Sequence, residues 1–250
     1  MCSSDLANWM AACGEPGEDA DLYDAVHAVG EEFCPALGIA IPVGKDSLSM
    51  RPAWQVGGAT RKVVSPVSLI VSAFAPVEDV RRTLTPQLRL DRGATRLLLV
   101  DLGAGRNRLG ASCLAQVYGR IGDSGPDCDD PGRLRAFVAC VIDLRRRGLV
   151  LAYHDRSDGG LFATLAEMAF AGHCGLDITL AAGDHAAAVA ELFAEEVGAV
   201  LQVETAQLAA GRAVFAAAGL GQMVPDLGTA EAFDRIVVAD AGDGDATEFR

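Results

Sequence analysis

Basic residues are scarce in this chain of 250 residues: 21 Lys and Arg stand against 34 Asp and Glu, for a net charge of −13. No net positive field is available to release counterions from a phosphate backbone, so nucleic acid is not an expected partner. A local nucleotide site remains compatible with that balance. No run of 18 apolar residues occurs, so no membrane span is expected. The first residues are polar and acidic and lack the basic start and apolar core of a secretory signal. No C-x-x-C pair is found among the seven cysteines at positions 2, 13, 34, 113, 128, 140 and 174. Their count is odd and most sit in apolar stretches, as Cys140 does. These features favour a reduced, cytoplasmic protein with structural thiols over a disulfide framework or a zinc site.

What is present is apolar bulk. Half of the residues are hydrophobic and 22% are charged, which excludes wholesale disorder and allows a sizeable core in one large domain or two ordinary ones. Leu22 to Phe33 has the period of a helix with Leu22, Ala25, Val26, Val29 and Phe33 on one face. Ile39–Val43 and Val67–Phe74 read as strands, residues 51–62 as a loop, and residues 81–93 as a connection between two units. The second unit alternates. Strands are expected at 97–102, 149–153, 176–180, 198–203 and 235–238, and helices at 109–118, 134–147, 161–171, 185–195 and 205–218. The interleaving predicts an α/β sandwich.

Three segments invite a chemical reading. Gly44-Lys45-Asp46-Ser47 follows the first expected strand. It fails as a phosphate-binding P-loop, because five residues separate Gly38 from Gly44 and Asp46 stands where a hydroxyl is needed. It is either a strand-end Lys/Asp/Ser cluster for an anionic ligand or a solvated turn. Gly103–Gly110 resembles a dinucleotide fingerprint with the wrong glycine spacing and reads as a strand-to-helix turn. His154–Gly160 is the most informative. It sets ionisable groups and the Ser157 hydroxyl between an apolar strand and a strong helix, where α/β ligand sites form. Gly159 and Gly160 allow close backbone approach at a helix N-terminus, which favours anions. Asp155 suits such a site if magnesium bridges it to phosphate. The bland alternative is that Ser157 or Asp158 caps the helix. Glu15–Asp19 reads as a capped acidic loop, His173 as structural, His27 and His185 as solvated or satisfied helix histidines, and Glu195-Glu196 as a solvated helix end.

Ala7–Ala12 (ANWMAA) with Gly17–Ala20 (GEDA), Ile41–Met50 (IPVGKDSLSM), and Ala152–Gly160 (AYHDRSDGG) continuing to Leu165–Gly172 (LAEMAFAG) resemble phosphoribosylformylglycinamidine synthase of the large, glutaminase-fused bacterial type. The likeness runs from about residue 7 onward. It implies an aminoimidazole-ribonucleotide-synthetase-like α/β fold. Residues 1–82 would be an incomplete amino-terminal-type unit of the second synthetase half. Residues 83–250 would be a carboxy-terminal-type α/β sandwich, truncated at its end. Met1–Leu6 departs from the family and reads as a foreign scar. The resemblance implies an ATP-dependent ligase that converts formylglycinamide ribonucleotide and glutamine to formylglycinamidine ribonucleotide in purine biosynthesis. Its cofactors would be ATP or ADP and Mg2+. Asp155 matches a magnesium ligand and Ser157 a nucleotide contact. Lys45, Asp46 and Ser47, with Gly159 and Gly160, join the nucleotide-binding set. The remaining magnesium ligands, a Glu and an Asn, would lie upstream of residue 1, so a lone Asp155 should hold magnesium weakly. No catalytic residue maps onto the chain. The partners implied are a small-molecule nucleotide and the missing remainder of the polypeptide, namely the first synthetase half and the glutaminase. The chain alone is expected to be inactive. Two other readings stay open: a non-catalytic, structural nucleotide-holding module, or another ATP-using member of the same superfamily.

Overall fold

The structure is a computed structural model that describes residues 4–77, 79–181, 183–240 and 246–249. The chain divides into two compact units, residues 1–80 and 81–250.

The first unit is built on a three-stranded sheet. Strand β1 (Ser4–Met10) lies between β2 (Ala40–Ser47), to which it is parallel, and β5 (Ser68–Phe74), to which it is antiparallel. Residues 4–6, set aside in the sequence as foreign, are therefore part of the central strand. β2 can include Pro42 because it is an edge strand and need not donate on both sides. Between β1 and β2 the chain forms helix α1 (Glu18–His27), a π-helical stretch (Ala28–Phe33) and α2 (Cys34–Leu37). The helix expected at 22–33 is thus longer and widened in its second half. Residues 51–62 are not a loop. They form a hairpin of β3 (Ala53–Val56) and β4 (Ala59–Lys62). Gly57 and Gly58 have φ of 57° and 81°, the positive values that a tight two-residue hairpin turn requires. A carboxylate from the acidic loop ties this hairpin down, with Lys62 Nζ 2.6 Å from Glu15 Oε2.

The second unit is an α/β/α sandwich. Its strands are β6 (Thr95–Asp101), β7 (Ala152–Arg156), β8 (Gly175–Leu180), β9 (Gly198–Glu204), β10 (Asp226–Glu231), β11 (Ile236–Asp240) and β12 (Ala246–Phe249). Among the described residues they form one sheet in the order β12-β11-β8-β10-β6-β9-β7. Its helices are α3 (Cys113–Val117), α4 (Pro131–Arg147), α5 (Gly160–Gly172), α6 (His185–Phe193) and α7 (Leu208–Ala217). Alternation sorts the core. Leu97 and Leu99 of β6 with Val200 of β9 face Leu161, Leu165 and Met168 of α5 and Leu192 of α6. Leu98 and Val100 with Ala199, Leu201 and Val203 face Phe137, Cys140 and Leu144 of α4 and Phe215 of α7. A strand buried on both faces reads as a continuous apolar run, and β6 and β9 do.

Helix α4 shows local chemistry setting an element's limits. Asp130 accepts hydrogen bonds from the N–H groups of Gly132 (2.8 Å) and Arg133 (3.3 Å), Pro131 occupies the first turn, and Gly148 ends the helix in the left-handed conformation. Asp184 caps α6 in the same way through Ala187 N–H at 2.9 Å. The helix expected at 109–118 contracts to 113–117, because Gly110 packs its Cα against the Ser124 backbone and Ala111 has φ of 57°.

Candidate functional site

β6 and β7 each pair antiparallel with β9, which lies between them, so their carboxyl ends share one edge of the sheet with the start of β9. Asp101, Gly198 and Arg156 are register partners across that edge. β7 is longer than its apolar part suggested. His154, Asp155 and Arg156 belong to the strand, and the turn is only Ser157–Gly159. Alternation then separates their side chains. His154 Nε2 reaches Glu167 Oε2 of α5 at 2.5 Å. Asp155 lies on the opposite face, exposed, and its carboxylate accepts a short hydrogen bond from the Tyr153 hydroxyl. Burial and that bond push the Tyr153 phenol well above its ordinary pKa, so it stays a donor. Arg156 turns inward and is buried.

Ser157 and Asp158 are exposed, and neither side chain caps α5. The capping role falls to a residue that the sequence left as solvated: Glu195 Oε1 accepts from the N–H groups of Gly159 and Cys113, both at 2.8 Å. The Gly160 N–H is bonded to the Ser157 carbonyl at 2.9 Å. Gly160 is glycine for packing: a Cβ there would come within 2.7–2.9 Å of the backbone of 192–194. A phosphate at this helix start would therefore compete with the Glu195 carboxylate.

Beneath the turn lies an ion-pair relay that the sequence reading did not bring together. Arg156 Nη2 is 2.5 Å from Asp101 Oδ1, and its Nε donates to the Glu196 carbonyl at 2.7 Å. The fully buried Glu196 carboxylate receives Arg108 Nε and Nη2, both at 2.7 Å, and the Arg108 N–H at 3.0 Å. Arg108 continues to Asp129 at 3.0 Å, joined by Arg106 at 2.7 Å. The Glu196 carboxylate raises the pKa of Arg108, and Arg108 lowers that of Asp129. Glu195-Glu196 is therefore not a solvated helix end. Helix α6 stops at Phe193, and both carboxylates turn back onto the sheet edge. Gly103 is required there because a Cβ would lie 2.7 Å from Glu196 Oε2.

The segment between β6 and α3 carries positive φ at three non-glycine residues, Ala104 (53°), Asn107 (48°) and Ala111 (57°). Each costs on the order of 1–2 kcal/mol against an ordinary conformation. Asp101 secures it by accepting from the N–H groups of Gly103 (3.2 Å) and Gly105 (2.7 Å). Asp101, Gly105 and Asn107 border a cavity of about 550 Å3 that also reaches Glu191 and Gln222.

In the first unit, Lys45, Asp46 and Ser47 lie within β2 rather than after it. Lys45 and Ser47 share a face, with Nζ 3.0 Å from Ser47 Oγ, and Asp46 points to the other. Among the described residues no group of three His, Cys, Asp or Glu side chains could hold a metal ion, and no helix is long and apolar enough to cross a membrane. The described cysteines are free thiols. Those at 13, 113, 128, 140 and 174 have raised pKa values, through burial in most cases and through Glu195 first at Cys113.

Residues 96–240 match the family "AIR synthase related protein, C-terminal domain", and residues 3–76 match "FGAR-AT PurM_N-like domain". Among solved structures, E. coli HypE is 20% identical with a TM-score of 0.69 over 99% of this chain and 72% of its own. T. maritima PurL complexed with ATP is 11% identical with a TM-score of 0.63 over 98% of this chain, which spans only 36% of PurL. A HypE in complex with ATP is 14% identical with a TM-score of 0.63.

Proposed function

The chain belongs to the AIR synthase related protein family and has that family's α/β fold, and from this premise we propose that it is part of an ATP-dependent amidotransferase of the FGAR-AT type. Such an enzyme converts formylglycinamide ribonucleotide to formylglycinamidine ribonucleotide. The observation that carries this reading is the match of the first unit, residues 3–76, to a domain named for that amidotransferase, in order before the family's carboxy-terminal domain. ATP activates the substrate because an amide oxygen leaves poorly and phosphate leaves well.

The chain's own contribution is to hold nucleotide. Ser157 offers an exposed hydroxyl beyond β7, next to the start of α5. Gly159 and Gly160 place that helix start beside it, and a phosphate group gains the Gly159 N–H by displacing Glu195. Lys45, Asp46 and Ser47 are a candidate anion-binding set of the first unit taken by itself, where Lys45 and Ser47 share a face of β2. Magnesium fits less well: Asp155 brings a single carboxylate already bonded to Tyr153, so no step is assigned to the metal.

A second reading has its own observation. HypE superposes with the higher TM-score and is spanned over 72% of its length, which favours another ATP-using member of the superfamily. Titration with ADP, with and without magnesium, tests the site: Ser157→Ala should weaken binding in both conditions and Asp155→Ala only with magnesium present, and unchanged affinity in both variants removes the assignment. Supplying the purified chain with ATP, ammonia and formylglycinamide ribonucleotide tests the rest. No product is expected without the remainder of the enzyme. A glutaminase reading frame continuing downstream separates the amidotransferase from the HypE-like alternative.

A further inference from the structure

Strands β7, β8 and β11 run in the same direction, so the residues before β8 and β11 lie at the opposite edge of the sheet from the Ser157–Gly160 turn after β7. At that opposite edge a cavity of about 460 Å3 is walled by Phe162 and Phe170 of α5 and Phe249 of β12, with the buried Ala169 and Ile236 behind them. The Phe162 ring meets those of Phe249 and Phe193 at centroid distances of 4.8 and 5.7 Å, both tilted. Phe170 is 72% exposed. An exposed aromatic on a convex surface needs no explanation, but aromatics around a concave apolar space are the lining that small-molecule sites have.

Arg235 lines the same cavity, and its donors lack acceptors. Its Nε is buried and has no hydrogen-bond partner among the described residues. Its Nη1 stands 3.8 Å from Glu248 Oε2, an ion pair too long to be a hydrogen bond. The charge therefore has a partner, whereas the buried N–H has none. Buried N–H groups in native proteins find an acceptor in the protein, in water or in a ligand. The guanidinium is held in place all the same. Its Cζ lies 5.1 Å from the Phe233 ring centroid, and that ring packs on Gly175 so closely that a Cβ there would strike it. The Arg235 carbonyl accepts from the Leu176 N–H at 3.0 Å. Water would satisfy Nε but would leave the aromatic walls wet. A carboxylate on a flat apolar body satisfies both.

We propose that this cavity binds a small aromatic monocarboxylate, with Arg235 Nε donating to its oxygens and Phe162, Phe170 and Phe249 packing on its ring. The volume suits one or two rings. A ring is preferred to an acyl chain because it can pack offset or edge-on against the tilted phenylalanines. Asp234, an exposed member of the lining, disfavours a second negative charge on the ligand. The cavity belongs to the second unit alone and lies away from the turn assigned to nucleotide, so this inference does not rest on the proposed function.

Titration of the whole chain with naphthoate, followed through backbone amide NMR shifts, tests it. Saturable shifts, largest at residues 162–174 and 234–236, are expected. Arg235→Gln should weaken binding at least about tenfold, and Arg235→Lys, which keeps the charge without the fork, should weaken it less. Phe170→Ala, at an exposed position, should weaken it about three- to tenfold. Naphthylmethanol, the neutral isostere, should bind the parent more weakly than naphthoate and be indifferent to Arg235→Gln. Parent-like amide spectra away from the cavity report that a variant is folded, and Phe170→Ala keeps the test alive if Arg235→Gln is not. Parent-like affinity in either folded variant would overturn the proposal. So would equal affinity for the alcohol, tighter binding of dodecanoate, shifts centred on residues 157–160, or no saturable shift.

Discussion

Replacing Glu196 by glutamine changes one atom in the middle of the buried relay. The carboxylate is fully buried and meets Arg108 through three hydrogen bonds, at 2.7, 2.7 and 3.0 Å. Glutamine keeps one acceptor oxygen, which can serve Arg108 Nε and the Arg108 N–H. Its amide nitrogen then faces Nη2, donor against donor, and the guanidinium loses its buried counter-charge. Breaking a buried pair from one side costs about 3–5 kcal/mol. The retained acceptor places Glu196→Gln near about 3 kcal/mol, at the lower end of that range. A unit of this size shifts in melting temperature by about 2–4 °C per kcal/mol, so a drop of about 6–12 °C is expected. Differential scanning calorimetry of the whole chain measures it, provided the transition of residues 81–250 is followed. Asp129→Asn is the internal control. Asp129 is the outer, partly exposed end of the same relay and should cost clearly less. A fall of less than about 2 °C for Glu196→Gln, or a larger fall for Asp129→Asn, would show that the relay does not hold this sheet edge.

Other perturbations follow from single contacts. Gly198→Ala places a Cβ 2.2 Å from the Val100 carbonyl oxygen in the middle of the sheet, and overpacking of that kind costs about 1–3 kcal/mol; a parent-like urea midpoint would contradict the close approach. Lys62 and then Arg51 hold the Glu15 carboxyl below its ordinary pKa. A depressed folded pKa contributes stability that is present above the unfolded pKa and lost as pH falls through the folded one. Lys62→Met should therefore flatten the acid limb of stability in residues 1–80, and an unchanged slope on titration toward pH 3 counts against the pair. Cys140 is buried with its thiol pKa raised by that burial, so iodoacetamide at neutral pH should leave it unmodified in the native protein; rapid labelling seen by mass spectrometry would refute the placement.

The fold was readable where one physical signal decided the outcome. Runs such as Leu97–Val100 and Ala199–Leu201 have nowhere to go but a two-sided core, and the helix expected at 134–147 is α4, which Asp130 and Pro131 start three residues earlier. The errors have equally local causes. The hairpin around Gly57-Gly58 carried a turn signal, but its strands, Ala53–Val56 and Ala59–Lys62, are exposed throughout and lack the apolar alternation that marks a strand. Strand β10 (DLGTAE) has almost no β-branched or aromatic content. It is a strand because β6 and β8 flank it, with Gly228 fitting where a Cβ would lie 1.9 Å from the Asp177 carbonyl oxygen. Tertiary pairing overrode propensity there.

The chemistry at the sheet edge was only half visible for a different reason. Its polar residues advertise themselves in His154–Gly160, but their partners come from far along the chain. Arg156 meets Asp101 across 55 residues and Glu196 across 40, and Arg108 meets Glu196 across 88. Sequence spacing has no access to such pairs, so Glu195-Glu196 reads from the sequence as a solvated helix end. Once those pairs are placed, the edge sorts into two sets. Arg156, Glu196 and the Gly160 N–H are committed to holding the turn, and the Gly159 N–H is held by Glu195. Asp155, Ser157 and Asp158 face solvent. At the proposed site a nucleotide would find the Ser157 hydroxyl free, but it would reach the helix dipole of α5 only by displacing Glu195. Binding at this turn therefore has a built-in competitor, and Glu195→Ala, which frees the N–H groups of Gly159 and Cys113, should tighten ADP rather than weaken it.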